Sequence, residues 1–369
     1  MQSIAGAYQS IFVDEDGSVW ICGYNLYGQL GLGDIIDRKK PIKIVNLPFI
    51  TSVAVSGYHT LFLDINGSVW ATGNNAYGQL GLGTTTSRCN PEKITSLPKI
   101  VAISCSSFYY HSLFLDEDGA VWSCGNNRNG QLGLGDTYQR TSPEKITSLP
   151  KIKSIHAGYN HSMFLDCDGY AWCCGKGSEL GDKNANIPHK IKSLPKLTSI
   201  SSVFHSLFLD DEGQVWSCGD NKKGQLGLGD YAQRIQPERI QNLPKIVAVS
   251  AGHYHSMLLD IDGNVWTCGN NDYGQLGYQD TVNNRNQPEM LSSFPPIQAI
   301  SAGIYHSIFL DETGTVWSCG YNGNGQLGLG DQIARVKPEK IGIVPKIFRF
   351  ATEKRGWKTK SARKVSCNV

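Results

Sequence analysis

The 369-residue chain lacks the features that would commit it to a membrane, a collagen-like rod or a secreted disulfide scaffold. No apolar run approaches the ~20 residues that a bilayer-spanning helix needs. No basic segment followed by an apolar stretch opens the chain, so no signal peptide is expected. Proline is sparse, at 15 residues, which argues against a collagen-like or proline-rich disordered chain. Charge is also sparse, at 18% of residues and a formal net +2, so the molecule as a whole is no electrostatic glove for nucleic acid. Cysteine is plentiful, at 11, but lacks the arrangement of a disulfide framework. Six of the cysteines recur at one repeat position: Cys22, Cys124, Cys174, Cys218, Cys268 and Cys319. Equivalent positions of neighbouring units usually lie farther apart than the ~7 Å between Cα atoms that a disulfide tolerates. These cysteines read as free, buried thiols of a reducing, intracellular compartment. Cys173-Cys174 and the scattered histidines lack metal-ligand spacing, so no metal and no cofactor are expected.

What the chain has is glycine, 41 residues of it, and a period. Trp20, Trp70, Trp122, Trp172, Trp216, Trp266 and Trp317 follow one another at intervals of 44 to 52 residues. Around each lies the same unit: a Val/Ile-rich stretch, His-Ser-Leu-Phe-Leu-Asp, a turn of the form Asp-x-Asp-Gly, Val-Trp-x-Cys-Gly, a glycine-rich loop, and Pro-Glu-Lys-Ile before Leu-Pro. Short β-branched and aromatic runs bounded by Gly, Asp, Asn and Pro predict four strands per unit, the fourth at Glu-Lys-Ile. Asp-x-Asp-Gly predicts the tight hairpin between the second and third. Four antiparallel strands at this period make one blade, which buries both faces only when stacked on its neighbours. The sequence therefore predicts an all-β fold: a seven-bladed β-propeller of four-stranded blades.

The first unit begins late, with only about four residues before Ala5-Gly6. Pro345 to Ala351 looks like the start of an eighth unit, so the ring is expected to be closed by a C-terminal strand at 347–351. The expected division is a propeller over 1–351 and a basic, flexible tail over 352–369. That tail carries six lysines and arginines against Glu353 alone, a net +5 that leaves −3 for the rest.

Gly-x-Asn-x-x-Gly-Gln-Leu-Gly-Leu-Gly occurs intact at 23–33, 73–83, 125–135, 219–229 and 320–330, and degrades at Gly274-Gln-Leu-Gly277-Tyr278 and at 177–181. After Val-Trp-x-Cys-Gly, this run resembles the repeats of the regulator of chromosome condensation family. The resemblance covers Met1 to about Ala351 and implies a seven-bladed propeller. It implies several functions: guanine-nucleotide exchange on the small GTPase Ran with docking on nucleosomes, roles within ubiquitin ligases and membrane-traffic regulators, bacterial effectors acting on host GTPases, and β-lactamase inhibition. Fold does not choose among them. The family's exchange factors resemble one another in placing acidic residues in the loops before the histidine and in carrying an extra β-hairpin wedge. Here those loops are aromatic, and the unit spacing leaves no room for the wedge.

Strand alternation puts the loop before His-Ser and the glycine-rich loop on one face. The pre-histidine loops contribute Tyr8, Tyr58, Phe108, Tyr109, Tyr110, Tyr159, Asn160, Phe204, His253, Tyr254 and Tyr305. Tyrosine offers large contact area at low entropic cost, which favours partner binding; packing of these rings into the mouth of the channel is the alternative. The candidate binding residues are Tyr58, Phe108, Tyr109, Tyr110, Tyr159, Asn160, Phe204, Tyr254 and Tyr305. A notch is expected beside Phe108–Tyr110, because the fourth unit is the short one.

The recurrent His59, His111, His161, His205, His255 and His306, with Gln9 in the first unit, read as one structural hydrogen bond repeated around the ring. No nucleophile–base arrangement accompanies them. The glycine-rich loop lacks the Lys-Ser/Thr and the helix of a phosphate loop. The Asp-x-Asp-Gly turns lack the glutamate of a calcium loop. The chain thus reads as a monomeric, intracellular protein-binding scaffold, cytoplasmic or nuclear, with secretion into a host cell as an effector as the alternative. Regulation of a Ran- or Rab-like GTPase is the second reading. Binding of nucleic acid, chromatin or an anionic membrane through the basic tail is the third.

Overall fold

A computed structural model describes residues 4–106, 110–177, 185–280, 284–292 and 294–342. Their strands form seven four-stranded antiparallel sheets, each built from four consecutive strands. Blade one comprises β1 (Ile4–Gly6), β2 (Gln9–Val13), β3 (Val19–Gly23) and β4 (Arg38–Lys43), and the other six repeat this order. The sheets close into the predicted seven-bladed propeller.

Each blade is a simple meander because one carboxylate organises its hairpin. Asp14 Oδ1 accepts the N–H groups of Asp16 and Ser18 at 3.1 and 2.8 Å, and its Oδ2 accepts Trp20 Nε1–H at 2.9 Å. The seven tryptophans of the repeats all make this bond, at 2.8 to 3.2 Å. The first Asp of the turn is thereby occupied by its own hairpin.

The core lies between the blades. There are seven apolar clusters, each shared by two consecutive blades. One aromatic of the second strand anchors most of them: Phe114 packs on Leu61, Leu63 and Ala71 of the preceding blade, and Phe62 on Ile11, Val13 and Ile21. Leu258 takes this place between blades five and six. Burying each such side chain contributes about 2–3 kcal/mol.

The glycine-rich loop completes each interface by reaching onto the next blade. Gly81 has φ +70°, and a Cβ there would come within 3.1 Å of the Pro143 ring and 3.3 Å of Cys124 Sγ. Gly83 N–H donates to Thr141 C=O at 2.9 Å on the outer strand of that next blade. Proline recurs on the outer strands, at Pro41, Pro91, Pro143, Pro188, Pro237, Pro288 and Pro338, and so removes a donor from each open edge.

Two expectations change. The outer strand is longer than Glu-Lys-Ile: in blade three it runs Arg140–Ile146, with a register shift opposite Ser123/Gly125. Arg140 sustains the added turn of strand by bridging Asp136 at 2.6 Å and Glu144 at 2.7 Å. The inner strand of blade one, expected to be missing, is present: Ile4, Ala5 and Gly6 pair with Phe12, Ile11 and Ser10. Blade one then closes on blade seven as the other blades close on one another, with Phe12 and Cys22 packed on Ile308, Leu310 and Val316. The expected closing strand at 347–351 and the tail at 352–369 lie outside the described residues.

Candidate functional site

The second strands of the blades carry a ring of hydrogen bonds that must be separated from any catalytic reading. His59 Nε2 lies 2.9 Å from Ser112 Oγ, His111 from Ser162 at 2.9 Å, His205 from Ser256 at 2.7 Å, His255 from Ser307 at 3.0 Å and His306 from Ser10 at 2.9 Å. Each serine belongs to the blade after the histidine's own, and the last pair closes the ring. A Ser–His pair at this distance has the spacing of a nucleophile and its base. Here each serine hydroxyl donates its one proton to the carbonyl of a glutamine in the preceding blade: Ser112 to Gln79 at 2.7 Å, Ser162 to Gln131 at 2.7 Å, Ser10 to Gln326 at 2.6 Å. The serine therefore accepts from the histidine, which must carry its proton on Nε2. Burial pushes His59, His111, His205 and His255 down to about 3, and His161 and His306 to about 4, so all are neutral at pH 7. The ring is structural, as the repetition of one residue per blade suggests.

Blade four breaks this pattern. Its glycine-rich run has no Gln, and His161 Nε2 bonds instead to Ser202 Oγ at 2.6 Å, which in turn meets Ser206 Oγ at 2.8 Å. The notch expected there falls on 178–184, outside the described residues.

The mouth above this ring is aromatic. Its geometry starts at glycine: the backbone before each histidine crosses so close to the Gly of Val-Trp-x-Cys-Gly that a Cβ on Gly125 would lie 2.2 Å from Tyr110 C=O, and one on Gly73 2.4 Å from Tyr58 C=O. This fixes the pre-histidine rings over the channel. Tyr58 stacks on Tyr110 at 5.5 Å between centroids, and Tyr8 lies 6.2 Å from Tyr58. On the other arc, Tyr159 meets Phe204 at 4.0 Å, Phe204 stacks on Tyr254 at 5.3 Å, and Tyr254 lies 6.4 Å from Tyr305. His253 stands edge-on to Phe204 at 4.8 Å. The pre-histidine rings named here as candidates are half-buried, so they pack on one another and still present area to solvent. Tyr110 adopts φ +56°, rare for a non-glycine, in a loop two residues longer than that of blade two.

The structure brings Tyr58, Tyr110, Tyr159, Phe204, Tyr254 and Tyr305 to this mouth. Asn160 is tied by its side chain to Asn129 Nδ2, at 3.2 Å. Phe108 and Tyr109 lie outside the described residues. Sequence reasoning missed a second tier, from the first half of the glycine-rich loop. Tyr27 meets Tyr58 at 5.2 Å, Tyr77 stacks on Tyr110 at 5.1 Å, Tyr273 meets Tyr305 at 5.5 Å and Tyr321 at 5.0 Å, and Tyr24 lies 5.9 Å from Tyr8. Tyr27, Tyr77 and Tyr273 all stand immediately before the Gly-Gln-Leu-Gly run, a signal that aligning the units would have shown.

The electrostatics match. The pre-histidine loops contain no Asp, Glu, Lys or Arg. Burial, reinforced by neighbouring phenols, raises Tyr8, Tyr24 and Tyr58 and pushes Tyr110 up to about 12; burial and neighbouring phenol and carboxylate charge raise Tyr305. The phenols stay neutral, able to donate and accept. Arg128 lies over the Tyr77 ring at 5.6 Å. Among the described residues no three His, Cys, Asp or Glu come together to hold a metal. The six repeated cysteines are buried, and burial pushes Cys22 and Cys268 up to about 12, far from a reactive thiolate.

Fold and mouth together define a closed seven-bladed propeller whose blades are tied by a ring of hydrogen bonds and whose mouth is an aromatic surface. The chain belongs to the regulator of chromosome condensation (RCC1) family: the RCC1-like domain matches residues 109–355, and RCC1 repeats match 16–63 and 66–115. It is 35% identical to the human "Probable E3 ubiquitin-protein ligase HERC4" over 343 residues, which is 90% of this chain and 28% of that protein's length. It is 31% identical to the "Ultraviolet-B receptor UVR8" of Arabidopsis thaliana over 63% of this chain and 56% of the receptor. Among solved structures it resembles Prp20p of Saccharomyces cerevisiae, described with its binding properties to Gsp1p and histones. The TM-score is 0.80 and the identity 26%, over 90% of this chain and 87% of that one. The described residues contain no helix long and apolar enough to cross a membrane.

Proposed function

We propose that the chain is a protein-binding regulator that engages its partner through the aromatic mouth. The observation that carries this reading is the two-tier tyrosine surface, half-exposed and built on pre-histidine loops without acidic or basic residues, around a ring of His–Ser hydrogen bonds. Such rings are pre-organised by their neighbours, so little entropy is lost on binding. Tyr58, Tyr110, Tyr159, Phe204, Tyr254 and Tyr305 make the contact, with Asn160 beside them; Phe108 and Tyr109, outside the described residues, are proposed as further contacts on sequence grounds.

A second reading is regulation of a Ran- or Rab-like small GTPase, including nucleotide exchange. The similarity to Prp20p, which binds Gsp1p, supports it. The absence of acidic residues from the pre-histidine loops sets this mouth apart from the family's exchange factors. Exchange would proceed by stabilising the nucleotide-free GTPase, with no general base in the propeller.

The test is capture of partners from lysate on wild-type chain and on a Tyr58→Ala/Tyr110→Ala variant of unchanged fold. A partner retained by the first and lost by the second supports the reading; identical retention contradicts it. Release of fluorescent GDP from Ran, Rab, Rho and Arf GTPases then separates the two readings, since only a regulator of exchange accelerates it.

A further inference from the structure

Five of the seven outer strands share a charge pattern that blade one lacks, as does blade four, where His189 lies opposite Cys173. Opposite the residue after Trp, five blades place a glutamate: Glu92, Glu144, Glu238, Glu289 and Glu339. Each pairs with the arginine four residues earlier on its own strand, as in Arg88–Glu92 and Arg335–Glu339. In blade one the same position, opposite Ile21, holds Ile42. Strand β4 therefore reads Arg38-Lys39-Lys40-Pro41-Ile42-Lys43, with four cations and no acid.

Asp34 and Asp37 offset part of that charge and leave the strand net positive. Lys39, Lys40 and Lys43 are exposed and form no ion pair among the described residues. The neighbouring acids are engaged: Asp34 holds Arg38 at 2.5 Å, and Asp37 accepts Asn25 N–H at 2.8 Å and Asn324 Nδ2–H at 3.2 Å.

The same flank is apolar out of proportion to its size. Six of the sixteen large hydrophobic side chains exposed among the described residues fall between Leu26 and Phe49. Ile36 and Val45, at 63% and 69% exposed, bracket β4 at its two ends, and Ile42 lies between them among the lysines. A concentration of exposed apolar side chains with a polar rim marks an interaction surface.

We propose that the outer flank of blade one is a second docking surface, for an acidic segment of a partner protein that carries apolar side chains. Charge complementarity selects this occupant. The chain's own segment 352–369, with six cations against one acid, has the wrong sign. Pro41 denies the edge one of its donors, so recognition works through the lysines and isoleucines more than through an added strand. The apolar side chains are spread along the height of the blade, not gathered on one helix or protruding loop that could enter a bilayer.

The test begins with selection of displayed random twelve-residue peptides on the immobilised chain, followed by fluorescence polarisation of the selected peptides. The expected peptides are rich in Asp and Glu, with Ile, Leu or Phe interspersed, and their affinity falls steeply between low and high salt. Ile42→Glu restores the pairing found in five of the other six blades, so it should keep the fold while weakening these peptides by about tenfold or more. Lys39→Glu/Lys40→Glu should do the same, and Tyr58→Ala/Tyr110→Ala should leave them unaffected, which separates this surface from the mouth. Selected peptides without acidic bias, or variants that bind within about twofold of wild type, would overturn the proposal. So would sedimentation of the chain with phosphatidylserine-containing vesicles that Ile42→Glu abolishes, which would assign the flank to a membrane surface.

Discussion

Two rings at the centre of this molecule are built from adjacent residues and behave in opposite ways. The inner ring, His59 to Ser112 and its counterparts, is buried, with imidazole proton and serine proton each assigned to a partner. The outer ring, Tyr58 and its counterparts, stands one residue before the histidine in five blades and, as Tyr159, two before it in blade four, half in solvent, touching mainly other rings. One residue of offset on the strand separates the part that holds the blades together from the part available to a partner. Stability should therefore respond to the inner ring and binding to the outer one.

Acid should break the inner ring first and most completely. The six histidines have folded-state pKa values pushed down to about 3 or 4 by burial, below the ordinary 6.5 of an unfolded chain. Between those limits the unfolded chain binds more protons. Stability is therefore full above pH 6.5 and falls as pH drops, by about 1.4 kcal/mol per pH unit for each histidine. Six together outweigh a typical stability of ~5–15 kcal/mol within about two to three units. Circular dichroism should show cooperative unfolding before pH 4; a chain still folded there would contradict the assignment.

Truncation of an inter-blade anchor comes next. Phe114→Ala should lower unfolding free energy by about 3–5 kcal/mol in urea titration. Ser112→Ala is expected to cost about 2–3 kcal/mol, because it leaves His59 Nε2–H without its partner and Gln79 C=O with only the weak Cys124 Sγ–H donor at 3.6 Å. Ser206→Ala should cost less, about 1 kcal/mol, since Ser206 meets Ser202 where the other serines meet a glutamine carbonyl. Equal losses at the two serines would show that the glutamine carbonyl adds nothing. The smallest stability effect belongs to the mouth: Tyr110→Ala should cost about 1 kcal/mol or less, the worth of a partly exposed ring pair.

Much of this was legible because it is repeated. A tryptophan every 44 to 52 residues, a hairpin Asp and a histidine in six units fix period, strand order and the inner ring. What escaped notice lies between units or departs from them. The extra length of the outer strand depends on Arg140 reaching both Asp136 and Glu144, a relation of side chains across a bulge. The three-residue inner strand Ile4–Gly6 is too short to stand out by pattern. Tyr24, Tyr27, Tyr77, Tyr273 and Tyr321 are scattered through loops whose glycines drew the attention, and only folding sets them against the pre-histidine rings. The site was thus read by its first tier alone.

The most direct measurement makes the Tyr58→Ala/Tyr110→Ala variant and follows thermal unfolding and partner retention on the same sample. The account predicts a melting temperature within a few degrees of wild type and loss of the partner. A melting temperature as depressed as that of Phe114→Ala, with the partner still bound, would mean that the mouth rings are packing and that the binding surface lies elsewhere.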